Sequence, residues 1–552
     1  MRVRTIIAAV LFLAAACQAA ELFDESALRF AEEVDARTLS LLTVQYAGRL
    51  AVLDTVARDS LARAYGAQTI DGTAPTFAYL ELYFNAGAYL DRPVIYVRER
   101  DMRRFVAAHL DEDTRKEFQR AHRLPPAALV GEDALELLVG TERAAMSDLA
   151  RAGRIASLRA PLGMLSSRPE YRVPLERLSE RYSSFLSVGV LRIAPAGGET
   201  WIAPDGAAAH GSDAQVSEAA AMLTSWWRLG RAWRARDANE VNRLAALWAE
   251  HQSSAAPPKP IRELELLYNR AQKATVLWVG FAAAFVLMLL AVATGRLWVR
   301  RAGLAVLAAS TLALLAGFAA RWVLSGRAWY LPPVMNMFEA VTGSALLGCV
   351  LALGLELARR RNYFALSASL YSTAALMFCH FLPASVGAGI AAAHGILNSP
   401  VMAAHVTVII LGHAMAGMTL VISVVYLLAR LWEAAARASA GLPAGQAAGA
   451  GDAIDRCNLI AVQLAAWTLA LGTILGAVWA DFAWGRWWGW DPKETWALIT
   501  TLVYIAVLHL RMVLPVRWRG LATAVGCVVG SAAMMFNWVV VNFILPGKHS
   551  YA

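Results

Sequence analysis

The sequence predicts an all-α polytopic membrane protein of about eight transmembrane helices, preceded by an exported, mainly helical soluble domain. Three observations predict it. Of the 552 residues, 58% are hydrophobic and 17% charged, too apolar for an ordinary soluble chain. The average hides a division. Residues 21 to about 270 are charge-rich, with runs such as RERDMRRF and DEDTRKEFQRAHR, whereas 274 to 545 are mostly apolar segments of 18 to 25 residues. Segments of that length cross a hydrocarbon core of about 30 Å. Finally, the chain opens on an export-type leader.

Residues 1–20 form that leader: Arg2 and Arg4, then IIAAVLFLAAA, then small residues. Cleavage near Ala19 and lipoprotein-type processing at Cys17 are both compatible with it. Residues 21–265 form the expected extracytoplasmic domain. ESALRFAEEVDARTLSLL and DALELLVGTERAAMSDLARA read as helices and PVIYVRER as a short strand. PLGMLSSRPEYRVP and IAPAGGETWIAPDG read as loops, and SSAAPPKP (253–260) as the linker into a membrane domain over 272–552.

Eight spans follow, roughly 274–294, 302–324, 338–357, 363–381, 402–430, 458–480, 493–514 and 520–545. Basic residues concentrate on alternate turns: GRLWVRR, ARRR, the Arg430–Arg456 loop and RMVLPVRWRG. The positive-inside rule puts these turns in the cytoplasm. The soluble domain, the 325–337 loop, a tryptophan-rich loop over 481–496 and the tail GKHSYA then face outward, as the leader independently requires. The expected location is the cytoplasmic (inner) membrane.

The net charge of +9 comes from arginines at span ends. No basic patch interleaved with aromatics marks the first half, so nucleic acid is excluded as a partner. Cys349, Cys379, Cys457 and Cys527 lie in or beside apolar segments and read as small hydrophobes. No C-x-x-C-H occurs, so the chain carries no covalent haem of its own.

The 481–496 loop reads WGRWWGWDPKETW from Trp484, with Trp487, Trp488, Trp490 and Trp496. An aromatic belt supplies one or two tryptophans per membrane edge. Five between glycines suggest a flat surface for a large planar ligand, and haem fits best. Asp491 is placed as an N-cap, Pro492 as the first helical residue and Glu494 as the partner of a capping box, so these acids fix the loop on the next helix.

Six of the ten histidines lie in the membrane half: His380, His394, His405, His413, His509 and His549. His405 opens the fifth span and His549 follows the last, both on the loop's side. Two neutral imidazoles are a common axial pair for haem iron. A lone histidine at a membrane edge is more often a structural hydrogen-bonder, so the case rests on the pair flanking the tryptophans. His413, eight residues on, lies about 12 Å deeper in the same helix, and His509, 17 residues after Pro492, lies about 26 Å along its span. His509 is either a packing residue or an inner ligand. His380 and His394 read as structural. Arg486 is either a partner for a haem propionate or a solvated loop charge.

WGRWWGWDPKETWALITTLVYIAVLHLR, SPVMAAHVTVIILGHA and VVVNFILPGKHSYA resemble, in order and spacing, the tryptophan-rich "WWD" cytochrome c assembly family in its CcsA/ResC branch. The likeness covers roughly residues 330–552. It implies delivery of haem b across the membrane and its attachment to apocytochrome c outside, in system II maturation. It also implies external axial ligands His405 and His549, and an inner ligand His509. The family's opposing inner histidine generally sits in a CcsB/ResB-like partner; here His413 is a local substitute, or such a subunit supplies it. QYAGRLAVLDTVARDSL is similar to the exported region of longer members. In this reading the tryptophan loop covers haem, and the C-x-x-C-H segment of apocytochrome c displaces one ligand while its thiols add to the vinyls. The alternatives are a haem chaperone without synthase activity and a small-molecule transporter. A transporter would carry charges inside several spans and an inverted repeat; the scarcity of the first and the lack of the second speak against it.

Overall fold

A computed structural model of the protein describes residues 22–98, 103–104, 107, 112–126, 192–195, 201–202, 213–382, 387–391, 395–440, 450–542 and 545. The leader, the segment DALELLVGTERAAMSDLARA, the loop PLGMLSSRPEYRVP, His394 and His549 lie outside them. The chain divides into two compact units, Met1–Asn269 and Arg270–Ala552.

The first unit begins with α1 (Glu25–Glu33) and α2 (Ala36–Ser40), then the hairpin β1 (Thr43–Tyr46) and β2 (Arg49–Val52). α3 (Leu53–Ala64), α4 (Pro75–Phe84), β3 (Ile95–Tyr96), α5 (Glu112–Ala121) and β4 (Arg123–Leu124) follow. β5 (Ala194–Pro195), β6 (Trp201–Ile202), α6 (Asp213–Arg234), α7 (Ala238–His251) and α8 (Lys259–Arg270) complete it. The strands form three antiparallel pairs. β3 is the strand expected in PVIYVRER. β5 and β6 fall in IAPAGGETWIAPDG, where only loop was expected: its apolar flanks pair across the Gly-rich middle.

Aspartates begin the first two helices, Asp24 accepting from the Ala27 amide and Asp35 from those of Arg37 and Thr38. The core is aromatic. Trp226, Trp233, Trp248, Phe77 and Phe30 are buried, and Trp233 meets Phe30 edge-on with centroids 5.2 Å apart. Glu81 is buried among them and accepts from Tyr89 Oη and Trp233 Nε1, each at 2.8 Å, and from both Arg236 terminal nitrogens. With Asn85 Nδ2 at 3.0 Å, five donors on one carboxylate satisfy what an isolated buried charge would lack. SSAAPPKP leads into α8, which packs on this unit: Glu265 accepts from Arg49 at 2.6 Å and from Thr55 Oγ1 at 2.6 Å.

The second unit is a bundle of α9 (Trp278–Thr294), α10 (Leu297–Ser325), α11 (Met337–Arg359), α12 (Tyr363–Phe381), α13 (Pro400–Ala440), α14 (Ala450–Trp484), α15 (Pro492–Val513) and α16 (Val516–Phe536). Among the described residues, eight helices are long and apolar enough to cross a membrane, at the positions the hydropathy predicts. Their ends carry paired charges. Arg300 meets Glu356 at 3.1 Å, and Arg511 grips Asp455 at 2.7 and 2.8 Å. The four cysteines are buried and free.

A buried cluster orders the end bearing the tryptophan loop. Glu339, in the first turn of α11, accepts from Arg321 Nε at 2.8 Å, Arg327 Nη1 at 2.7 Å and the Met335 amide at 2.8 Å. The same arginines donate to the carbonyls of Ala388, Gly389 and Ala391. One carboxylate and two guanidinium groups thus tie the 326–336 connection to the stretch after α12. The sequence reading did not single out these three charges. They matter because residues 334–337 form one wall of the cavity described next.

Candidate functional site

α13 and α14 pack closely because a glycine of one helix lies opposite a bulky side chain of the other, an arrangement that lets membrane helices approach. A side chain at Gly412 would meet Leu469 at 2.9 Å, and one at Gly472 would meet Ile409 at 2.8 Å. Gly476, one turn beyond Gly472, leaves room for an imidazole: its missing Cβ would stand 2.6 Å from Cε1 of His405. His405 Nδ1 lies 2.7 Å from the Gly472 carbonyl oxygen. That oxygen can only accept, so Nδ1 carries the proton and the lone pair of the neutral ring is on Nε2. Histidines that ligate metals are held by this kind of contact.

His405 and His413 line one cavity, open at its mouth, with about 1140 Å³ free of atoms, mouth included. His413 is only 7% exposed, and neither of its ring nitrogens has a hydrogen-bond partner. A buried imidazole without partners forfeits hydrogen bonds on both sides, a cost that a ligand can remove. Trp538 stands edge-on to it, centroids 5.5 Å apart.

Tryptophans make the other walls, although not as one flat surface. Trp484, Trp487 and Trp488 line the cavity, joined by Trp479 of α14 and Trp538 beyond α16. Trp479 and Trp484 meet at 74°, and Trp488 and Trp490 at 83°. Edge-to-face contact is the preferred arrangement of neighbouring rings, so a dense cluster folds into a box. Trp490 is 73% exposed and does not line the cavity. Trp496 stacks on Phe536 at 4.0 Å, joining α15 to α16.

The glycines also differ from the expectation that they admit a flat ligand. Gly485 ends α14 at φ +66°, a left-handed helix stop. At Gly489 the place of a Cβ is taken by the Arg486 guanidinium, so Arg486 folds back over its own loop. Trp490 is held at φ +56°, a conformation an aromatic residue rarely adopts.

The acids do what the spacing predicts. Asp491 and Glu494 form a capping box on α15. Asp491 Oδ1 accepts from the Lys493 amide at 2.9 Å, and Glu494 Oε2 accepts from the amides of Asp491 at 3.2 Å and Gly489 at 2.7 Å. Glu494 also lines the cavity; Asp491 is buried and does not.

The structure thus brings together His405, His413, Trp484, Trp487, Trp488 and Glu494. It leaves His509 elsewhere: near the far end of α15, exposed, with Nδ1 2.9 Å from the Ile505 carbonyl. His380 bonds Thr275 at 3.0 Å, a structural contact. Trp479, Lys493, Asn537, Trp538 and Asn542 join the cavity without having been singled out in the sequence. Polar residues in the last apolar span were the available signal.

Residues 334–549 match the family model described as cytochrome C assembly protein, and every cavity-lining residue falls within that range. Curated relatives agree. Cytochrome c biogenesis protein CcsA of Prochlorococcus marinus is 48% identical over 83 residues, 15% of this chain and 26% of that protein. CcsA of Porphyra purpurea is 42% identical over 100 residues, 18% of this chain and 31% of its own length. Protein NrfI of Wolinella succinogenes is 38% identical over 99 residues, 18% of this chain and 11% of its own. Each match therefore spans a third or less of the relative's length. Residues 334–549 are thus similar to cytochrome c assembly proteins, both by the family model and by the CcsA relatives that match within this chain.

Proposed function

We propose that the cavity holds haem b on its way to apocytochrome c, in a system II type of cytochrome c maturation. The observation that carries this reading is the pair of histidines in one tryptophan-walled space. His405 presents Nε2 as its basic nitrogen, and His413 has no partner on either nitrogen. The names of the relatives, which concern cytochrome c biogenesis, support the same chemistry.

In this proposal His405 ligates iron at the outer site together with His549. His509 belongs to an earlier, inner stage, where either His413 or a CcsB/ResB-like membrane subunit supplies the second ligand. His413 lies about 12 Å along α13 from His405, so the two serve different depths. Arginines at the ends of alternate helices support an inner-membrane orientation with the first unit and the tryptophan loop outside. Attachment itself needs positioning more than acid–base catalysis. Each cysteine thiol of a C-x-x-C-H segment adds across a vinyl C=C: sulfur bonds the carbon next to the ring, and a proton goes to the terminal carbon. Two thioethers form without an external oxidant or reductant.

The test is the optical spectrum of purified protein. A low-spin bis-histidine haem signature is expected, weakened in both His405→Ala and His549→Ala. Well-folded protein without haem, and full maturation activity in both variants, would sink the reading. Maturation of a c-type cytochrome in a host lacking its own system, with and without the partner subunit, separates a synthase from a haem chaperone.

A further inference from the structure

One corner of the cavity is polar where the rest is aromatic and aliphatic. Lys493 and Glu494 are the two charged residues among those lining it. Glu494 spends its carboxylate on the amides of the tryptophan loop. Lys493 turns the other way: Nζ donates to Asn542 Oδ1 at 2.9 Å, a neutral acceptor that is itself fixed by donating Nδ2 to the Trp538 carbonyl at 2.9 Å. Next to Asn542 in the same wall stands Asn537. It is 3% exposed, and its side-chain oxygen has no hydrogen-bond partner.

The backbone here is unusual too. Residues Asn537–Val541 form a π-helical turn, a widened geometry found mostly at functional sites. It begins at Asn537 and ends just before Asn542, so both amides and Trp538 reach the cavity from one stretch of chain. A buried ammonium is the recognition element for a carboxylate through a charge-assisted contact; Asn542 positions it, and Asn537 would add a contact through its Nδ2 donor, since its oxygen can only accept.

We infer that Lys493, Asn537 and Asn542 form a carboxylate-binding corner that takes a propionate of the haem. This rests on the haem reading above and adds to it an orientation. Haem carries its propionates and its vinyls on opposite edges. Holding the propionate edge in this corner leaves the vinyl edge as the one free to meet incoming thiols. Lys493 is thus a specificity residue of the binding site, and reacts with nothing.

The test uses the full chain in detergent and two probes, iron protoporphyrin IX and its dimethyl ester, which share ring, iron and vinyls. Binding is followed by absorbance titration. Wild type should prefer the free acid by about tenfold, the size of one hydrogen bond to a charged group. Lys493→Met should lose that preference while binding the ester as wild type does, which shows the cavity intact. Lys493→Arg should keep most of it. Asn537→Leu, which cannot accept or donate, should weaken acid binding without affecting the ester, and it carries the test if Lys493→Met does not fold. Equal binding of acid and ester by wild type, or an unchanged preference in both Lys493→Met and Asn537→Leu, overturns the inference. Failure of wild type to bind either porphyrin instead overturns the haem reading, and this inference with it.

Discussion

The two units each concentrate tryptophan, and they use it in opposite ways. In the first, Trp226, Trp233 and Trp248 are buried: Trp233 packs against Phe30 and Phe77, and Trp226 against Phe84 and Trp248. In the second, Trp479, Trp484, Trp487, Trp488 and Trp538 surround space. Aromatic content alone does not distinguish a core from a site. Nor do orphaned indole N–H groups, since Trp226 and Trp248 lack partners as Trp488 does. What separates the regions is the presence of an unpartnered imidazole and a placed one facing unfilled volume.

That contrast is open to direct attack, beginning with the largest effect. Trp233→Ala removes a core ring and one of the donors to buried Glu81, and should cost the first unit about 3–5 kcal/mol. Pulse proteolysis of the full chain measures it, and a cost near zero would mean that this aromatic cluster is not a core. Glu339→Ala leaves two buried guanidinium groups facing each other, an expected loss of about 3–5 kcal/mol in the second unit. Its thermal inactivation should fall well below that of wild type.

Gly476→Val is the sharper probe of the site, because its Cβ would stand 2.6 Å from the His405 ring. We expect loss of the haem spectrum with the bundle still folded, judged by size-exclusion profile; an unaltered spectrum would remove His405 from ligation. His413→Leu should leave stability within about 1 kcal/mol of wild type, or raise it, since no hydrogen bond is lost. Haem retention should nevertheless drop. Smallest of all, Trp490→Ala should change stability by no more than about 0.5 kcal/mol, the ring being mostly in the open.

Much of the second unit is legible in the sequence because its signals are local. Each span declares itself by length and hydropathy, and Asp491-Pro492-Lys493-Glu494 declares its capping box by spacing. The walls of the cavity are less legible. Trp479, Trp538 and Lys493 come from three different helices or helix ends, and nothing local says that they meet. The glycines of the tryptophan loop misled for a related reason: a missing side chain shows that something comes close, and the something was Arg486 of the same loop. The Arg321–Glu339–Arg327 cluster shows the limit again, since its purpose emerges only with the carbonyls of a distant stretch.

The hydrogen bond from His405 to the Gly472 carbonyl crosses from one helix to its neighbour. The location of a single proton on that ring is therefore set by how α13 and α14 are registered against each other. Sliding one helix past the other by a fraction of a turn would withdraw the acceptor and let the tautomer change. The coordination chemistry of His405 and the mechanical alignment of two helices are in this sense one variable, and a force applied to either is felt by the other.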